Sequence, residues 1–378
     1  MLGRFCCSLF LLSCALYATF VQSAGPVAFA TIDRSGWPLP MNSEEVFDTA
    51  SRAEILMFGK ALLDSEAEGS AQLRERLGVR IMDVKSLEQV RQHLWSRVLE
   101  NYRSASASCA EQPFCRSIES MGELRQFVST FAVDDASPYR TWQLASQRFH
   151  YAYLTEQLRL AALFPRISSE IARFDVSERN GDELSDRQFL LSFDDGPTAR
   201  GGNSDKLVSI LREQGLHATF FILGSNLQAR LDRNSAQELA ALYEGQCVAL
   251  HGWEHRSHAQ WGQWQESALR TAALVKSILP GDYQPLFRPP YGQRRSDAYV
   301  TLGDLGVQVS LWNIDSQDWS GAVSAEQAEQ RVQTLMLLWR RGIILFHDIH
   351  AKAQSAVPAL IRANGNAGVQ WLDCRQYR

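Results

Sequence analysis

The sequence predicts an α/β domain built on a parallel sheet in its C-terminal half, preceded by an all-α N-terminal domain. Three observations predict it. Composition shifts near residue 175, from Gly-poor sequence with apolar residues three and four apart to short β-type runs alternating with amphipathic segments. The polar stretch "DVSERNGDELSDRQ" separates the halves and reads as a linker over 176–186. Chemistry-bearing residues then fall directly after successive apolar runs, where open sheets and closed barrels both gather their active sites.

At 378 residues the chain has room for two domains. Residues 1–23 read as a secretory signal, with Arg4 as the positive start, "FCCSLFLLSCALYATFV" as the apolar core and "VQS" before Ala24 as the cleavage site. The apolar run is short of a comfortable membrane span, which disfavours a retained anchor. "LLSC", ending at Cys14, also resembles a lipoprotein processing box, with Leu12 a poor fit. Export to the periplasm or beyond is therefore expected. Processing leaves Cys109, Cys115, Cys247 and Cys374, and an even number in an exported chain points to disulfides. A local Cys109–Cys115 bridge is the simplest choice. Cys247 and Cys374 would then tie a strand to the C-terminus, or remain buried free thiols.

Residues 24–175 form the helical domain. "NSEEVFDTASRAEILMFGKALLDSE" starts with Ser43 as a cap, and "SLEQVRQHLWSRVLENYRSA" carries a capping box from Ser86 to Gln89. Tyr139 to Phe174 is again helix-like, broken at Pro165. His93 and His150 are isolated here and read as packed or solvated side chains.

Residues 187–378 carry the alternation. "FLLSF", "HATFFIL", "CVAL", "VQVSLWN" and "GIILFH" are the strands, and "SDKLVSILREQG", "WQESALRTAALVKSIL" and "SAEQAEQRVQTLMLLWRRG" are helices between them. After "FLLSF" come Asp194 and Asp195. After "CVAL" come His251 and His255, four apart, a spacing that sets two imidazoles on one face of a turn. One carboxylate completes a two-His, one-Asp set, which leaves a position open, the catalytic pattern for zinc. The neighbouring carboxylate is then free to accept a proton. His258 reads as a solvated loop edge, and Trp253, Trp261 and Trp264 as either sugar-stacking faces or loop packing. Arg288 in "LFRPPYG", Asp315, Asp318 and Trp319 in "NIDSQDW", and His347, Asp348 and His350 in "ILFHDIH" occupy further strand ends.

In this order, "SFDDGP", "HGWEH", "RPPYG", "DSQDW" and "LFH" resemble the five motifs of the NodB-homology polysaccharide deacetylases, carbohydrate esterase family 4, over about residues 187–375. The resemblance implies a distorted (β/α) barrel and a Zn²⁺-dependent hydrolase that removes N-acetyl groups from an N-acetylhexosamine polysaccharide. It implies Asp194 as general base and Asp195, His251 and His255 as metal ligands. Arg288 resembles the tether of the base, His347 the general acid and Asp318 its partner. The Tyr291 backbone amide resembles an oxyanion donor, and Trp319 and Leu345 the pocket for the acetyl methyl. Gly252 stands where the family has Ser or Thr, which puts the rigidity of that loop in question.

Net charge is −4, with basic residues dispersed, so no nucleic-acid footprint exists and the expected partner is acetylated polysaccharide. Two alternatives stay open: an inactive homologue that binds glycan or scaffolds the envelope, and an O-acetyl esterase on xylan-type polymer. Two His and one carboxylate also describe non-haem iron oxygenases, against which the α/β alternation and His347 argue. The helical domain is left to cover the groove, dock an envelope protein or locate the enzyme, and the oligomeric state is open.

Overall fold

The computed structural model describes residues 26–110, 112–163 and 173–377. The signal segment, Cys14 and the break at Pro165 lie outside these residues.

Among the described residues the N-terminal part holds five α-helices: α1 (Glu44–Ala67), α2 (Ser70–Leu77), α3 (Val84–Ser106), α4 (Met121–Thr130) and α5 (Arg140–Leu163). Ser43 Oγ accepts the Val46 N–H at 3.2 Å and starts α1 as its sequence predicts. The start of α3 differs from the sequence reading. Asp83 Oδ1 accepts the Ser86 N–H at 2.9 Å, so an aspartate three residues upstream begins the helix and Ser86 lies buried inside its first turn. His150 is buried with Nε2 2.8 Å from Glu54 Oε2, a packed histidine.

The remainder is one parallel sheet: β1 (Gln188–Asp194), β2 (Thr219–Ile222), β3 (Cys247–Leu250), β4 (Tyr283–Phe287), β5 (Gln308–Val309), β6 (Ile314–Asp315), β7 (Gly342–His347) and β8 (Gln370–Trp371). Around it lie α6 (Asn203–Glu213), α7 (Gly224–Leu231), α8 (Ala236–Tyr243), α9 (Trp264–Ile278), α10 (Ala298–Asp304), α11 (Ala325–Trp339) and α12 (Ala353–Ala363). Strand order is β5-β4-β3-β2-β1-β7-β6, with β8 beside β1. The sheet curls into a half-barrel, and β5 and β6 form its two unjoined edges. "VQVSLWN" pairs with β4 only at Gln308–Val309; beyond it Ser310 bridges to Arg179, and the Ser310 and Leu311 carbonyls accept from the Arg288 guanidinium.

Strand β1 runs centrally between β2 and β7, in a register that sets Asp194 opposite both Phe221 and His347. Every pairing being parallel, the motif residues at the strand ends share one rim. The helical part is not a separate body. Helix α11 packs on α1 and α3, and the Phe58 ring meets Trp339 edge-on at 5.4 Å inside a core common to both parts. Side chains of the 176–186 segment also enter ion pairs: Glu178 with Arg294, Asp182 with Arg97, and Asp186 with Arg340. Disulfides join Cys109 to Cys115 and Cys247 to Cys374. Among the described residues, no helix is long and apolar enough to cross a membrane.

Candidate active site

The site begins at the end of β1. Side chains two apart on a strand share a face, so Ser192 and Asp194 both point at Arg288. Arg288 is wholly buried; its Nη1 donates to Asp194 Oδ1 at 2.7 Å and to Ser192 Oγ at 2.9 Å. Nη2 and Nε donate to the Leu311 and Ser310 carbonyls, and Phe221 lies 3.9 Å beneath the guanidinium. Burial depresses the Arg288 pKa, and the Asp194 carboxylate opposes that shift. With four of the five guanidinium donors engaged, Asp194 Oδ1 is fixed, and Oδ2 turns towards His251 at 3.8 Å.

Asp195 leaves the strand differently. Its backbone takes φ +80°, a left-handed conformation rare outside glycine, followed by a cis Gly196–Pro197 bond. Asn226 Nδ2 donates to the Asp195 carbonyl at 2.7 Å, and the Asp195 N–H donates to Phe221 O at 3.1 Å. A Cβ on residue 196 would stand 2.0 Å from Asp348 Oδ2, so the turn requires glycine. Asp348 is buried, and that burial, aided by the Asp195 and Asp194 charges, pushes its carboxyl up to about 7.

The aspartate faces two imidazoles. His251 Nε2 and His255 Nε2 lie 3.4 and 3.5 Å from Asp195 Oδ1, and the three ligand atoms all fall within 4.8 Å of one another. Asp195 Oδ1 is buried yet has no hydrogen-bond partner. His251 Nδ1 sits 2.8 Å from the Arg288 carbonyl, which can only accept, so Nδ1 carries the proton and Nε2 presents its lone pair. These residues fit a divalent metal: ligand atoms about 2.0–2.1 Å from a tetrahedral zinc lie roughly 3.3 Å apart. Burial pushes the Asp195 carboxyl up, but His251 with the His347 and His255 charges outweighs it and holds the carboxyl well below the usual range. Burial and His251 lower the His255 pKa.

On the other side, His347 Nδ1 lies 2.7 Å from Asp318 Oδ1, and Asp318 Oδ2 accepts the His347 N–H at 3.0 Å. Burial opposes the imidazolium, yet Asp318 at hydrogen-bond distance, with the Asp195 and Asp194 charges, raises the His347 pKa to about 10. Trp319 follows Asp318 and is 41% exposed, whereas Leu345, two residues before His347 on β7, is buried. Tyr291, at φ +60°, rests its ring 4.4 Å from that of His255. All ten residues named from the motifs therefore gather at one rim.

One reading of the second motif is overturned, that of His258, and two left open are narrowed. His258 is buried, not solvated: its ring stacks on Phe287 at 5.3 Å, and burial, then the His251 and His255 charges, pushes it down to about 4. Gly252 has φ +86°, and a Cβ there would meet His258 Cε1 at 2.9 Å, so the imidazole fills the space that a larger residue at 252 would need. Trp264 is core, Trp261 packs on His258, and Trp253 lies under the Arg270 guanidinium at 3.5 Å; their contacts are packing contacts. Sequence reasoning missed Ser192, although its place two before Asp194 marks it. It also missed Lys352, whose Nζ donates to the Asp318 and Ser320 carbonyls at 3.0 and 2.5 Å.

Residues 181–310 match the family model described as polysaccharide deacetylase. The chain is 28% identical over 224 residues to a peptidoglycan-N-acetylglucosamine deacetylase of Bacillus cereus, covering 57% of this chain and 77% of the relative. It is 33% identical over 183 residues to a bifunctional xylanase/xylan deacetylase of Cellvibrio japonicus, covering 46% of this chain and 26% of the relative. To a chitin deacetylase of Pestalotiopsis it is 32% identical over 192 residues, covering 47% and 60%. Residues 181–310 are therefore a polysaccharide deacetylase domain of the NodB-homology, carbohydrate esterase family 4 type.

Proposed function

We propose that this domain hydrolyses the N-acetyl groups of an N-acetylhexosamine polymer, with Zn²⁺ held by Asp195, His251 and His255. The observation that carries the reading is the placement of two oppositely equipped proton-transfer groups beside one ligand triad. Asp194 is tied to Arg288, and His347 is tied to Asp318. When bound, the metal makes a water nucleophilic near neutral pH and polarises the acetyl carbonyl. Asp194 accepts the proton of the attacking water through the carboxylate oxygen that Arg288 leaves unclaimed. The C–O bond forms first at the acetyl carbon, and the C–N bond then breaks as His347 Nε2 protonates the departing amine, a poor leaving group without that proton. Asp318 keeps the imidazole charged and turned to deliver it. Trp319 and Leu345 line the place for the acetyl methyl, and the Tyr291 amide the place for the carbonyl oxygen.

The Bacillus and Pestalotiopsis relatives, named for peptidoglycan and chitin, support an N-acetylated polymer. The Cellvibrio relative favours a second reading, removal of O-acetyl groups from xylan. Export to an oxidising compartment is part of the proposal, supported by the two disulfides. The test is acetate release by the full chain with Zn²⁺ from chito-oligosaccharides, peptidoglycan, poly-N-acetylglucosamine and acetylated xylan. Release from the first three that stops on chelation is expected. Stoichiometric metal without acetate from any of the four would overturn the enzymatic reading, and release from xylan alone would select the second.

A further inference from the structure

We infer that the segment before the helical part supplies a wall of the substrate groove, and that Phe29 is a specificity-determining residue for the acetylated glycan. The inference rests on the deacetylase reading and deepens it. Phe29 lies far from the motifs in sequence, yet its ring meets that of Trp319 at 5.7 Å with an interplanar angle of 67°. Trp319 directly follows Asp318, the partner of His347. Two partly exposed aromatic rings thus stand together beside the proton donor. An edge-to-face pair holds both rings in orientation and leaves an open ring face, the surface on which the apolar face of a sugar stacks.

The backbone beneath Phe29 is held from both sides. Ala30 is buried; its N–H donates to Glu156 Oε1 at 2.7 Å, and its carbonyl accepts from Arg331 Nη1 at 2.9 Å. Glu156 on α5 and Arg331 on α11 are themselves paired at 2.8 Å. Arg331 Nε also donates to the Asp315 carbonyl at 2.8 Å, at the start of the loop that carries Asp318 and Trp319. One buried guanidinium therefore ties the segment bearing Phe29 to the loop bearing Trp319. Lys352 holds the same loop from its other side, through the carbonyls of Asp318 and Ser320. Desolvated, charge-assisted bonds of this kind fix backbone position more strongly than surface contacts do. The two rings form a rigid platform that this chain adds to the motif residues.

The test compares wild type, Phe29→Ala and Phe29→Tyr as full-length chains, on N-acetylchitopentaose and an acetylated xylo-oligosaccharide. Acetate release with Zn²⁺ gives kcat and KM, and calorimetry on chelator-treated protein gives Kd. Loss of the aromatic pair is expected to raise KM and Kd about two- to tenfold, with kcat changed less than about twofold. Phe29→Tyr should behave as wild type, and metal stoichiometry should match in all three. A Phe29→Ala chain with unchanged KM and Kd overturns the inference while leaving the deacetylase reading intact. So does a Phe29→Tyr chain as impaired as Phe29→Ala, since the ring would then not be what matters. A wild type that binds an oligomer but releases acetate neither from it nor from peptidoglycan, poly-N-acetylglucosamine or acetylated xylan overturns the deacetylase reading, and the Kd comparison still decides Phe29. A wild type that neither binds nor hydrolyses either oligomer overturns the inference, since the two rings would then receive neither glycan.

Discussion

Asp194 and Asp195 are adjacent in sequence but engaged by different partners, and this makes their roles separable by substitution. Asp194 is held by Arg288 at 2.7 Å and Asp195 faces His251 and His255. Asp194→Asn should keep one equivalent of zinc and lose about 10²–10⁴-fold in kcat. Asp195→Ala should lose zinc as well as activity. Zinc titration of the two variants decides it, and metal loss from Asp194→Asn with retention in Asp195→Ala would reverse the assignment. His347 gives a pH dependence. Its folded pKa, about 10, lies above the free value of 6.5, so its pairing stabilises the fold fully below 6.5 and that contribution is lost as pH rises through about 10. In the proposed reaction the same group protonates the leaving amine, so the alkaline limb of kcat should report it. A bound dication repels the imidazolium and sets that limb below 10. Asp318→Asn removes the main source of the upward shift, and its alkaline limb should move to lower pH, seen in pH–rate profiles of the two proteins. An unmoved limb would show that another group controls it.

Strand ends and the turns after them were the most legible part of the sequence. "FLLSF", "CVAL" and "GIILFH" are short apolar runs closed by acids or histidines, and they fold as β1, β3 and β7 with those side chains at one rim. The unread elements carry weaker local signals. Strand β4 contains Pro285 and is half exposed, and α7 is an eight-residue helix starting at Gly224. Within the site, the ligand and acid–base residues were legible because each sits in a motif. Lys352 and Phe29 were not, because long-range packing alone gives them their partners, and Ser192 is marked only by its place two before Asp194 on the same strand face. The second motif shows how a local departure is absorbed. Gly252 at φ +86° abuts His258, so restoring a hydroxyl by Gly252→Ser adds both a 2.9 Å overlap and a left-handed non-glycine backbone. That backbone alone costs of order 1–3 kcal/mol. Gly252→Ser should therefore lower Tm and weaken zinc binding, and adding His258→Ala should recover part of the loss by removing the overlap. Thermal melts and zinc titrations check this, and a Gly252→Ser chain as stable as wild type would show the loop to be compliant.

Over the whole molecule, the helical part and the sheet depend on one helix. Helix α11 is buried along most of its length, between β6 and β7 on one side and α1 and α3 on the other. Arg331 and Arg340, both fully buried, are paired with Glu156 and Asp48 of the helical part. Trp339 meets Phe58 edge-on and donates its Nε1–H to Tyr153 Oη at 3.0 Å. Cutting the chain at the composition shift removes all of these partners together. A fragment of residues 187–378 would expose the apolar face of α11 and strip two guanidinium groups of carboxylate partners. Breaking one buried pair by removing a partner costs about 3–5 kcal/mol, comparable to much of a domain's net stability. The fragment should therefore be insoluble or lack a cooperative thermal transition, and adding zinc should not restore one. Arg331→Met with Glu156→Leu, which replaces one pair by apolar groups of similar size, should leave the full chain folded. It should also release Ala30 and the Asp315 carbonyl from their clamp. Calorimetric melts of the fragment and the double variant test this, and a soluble fragment that melts cooperatively and binds zinc would show that the sheet folds without its helical partner.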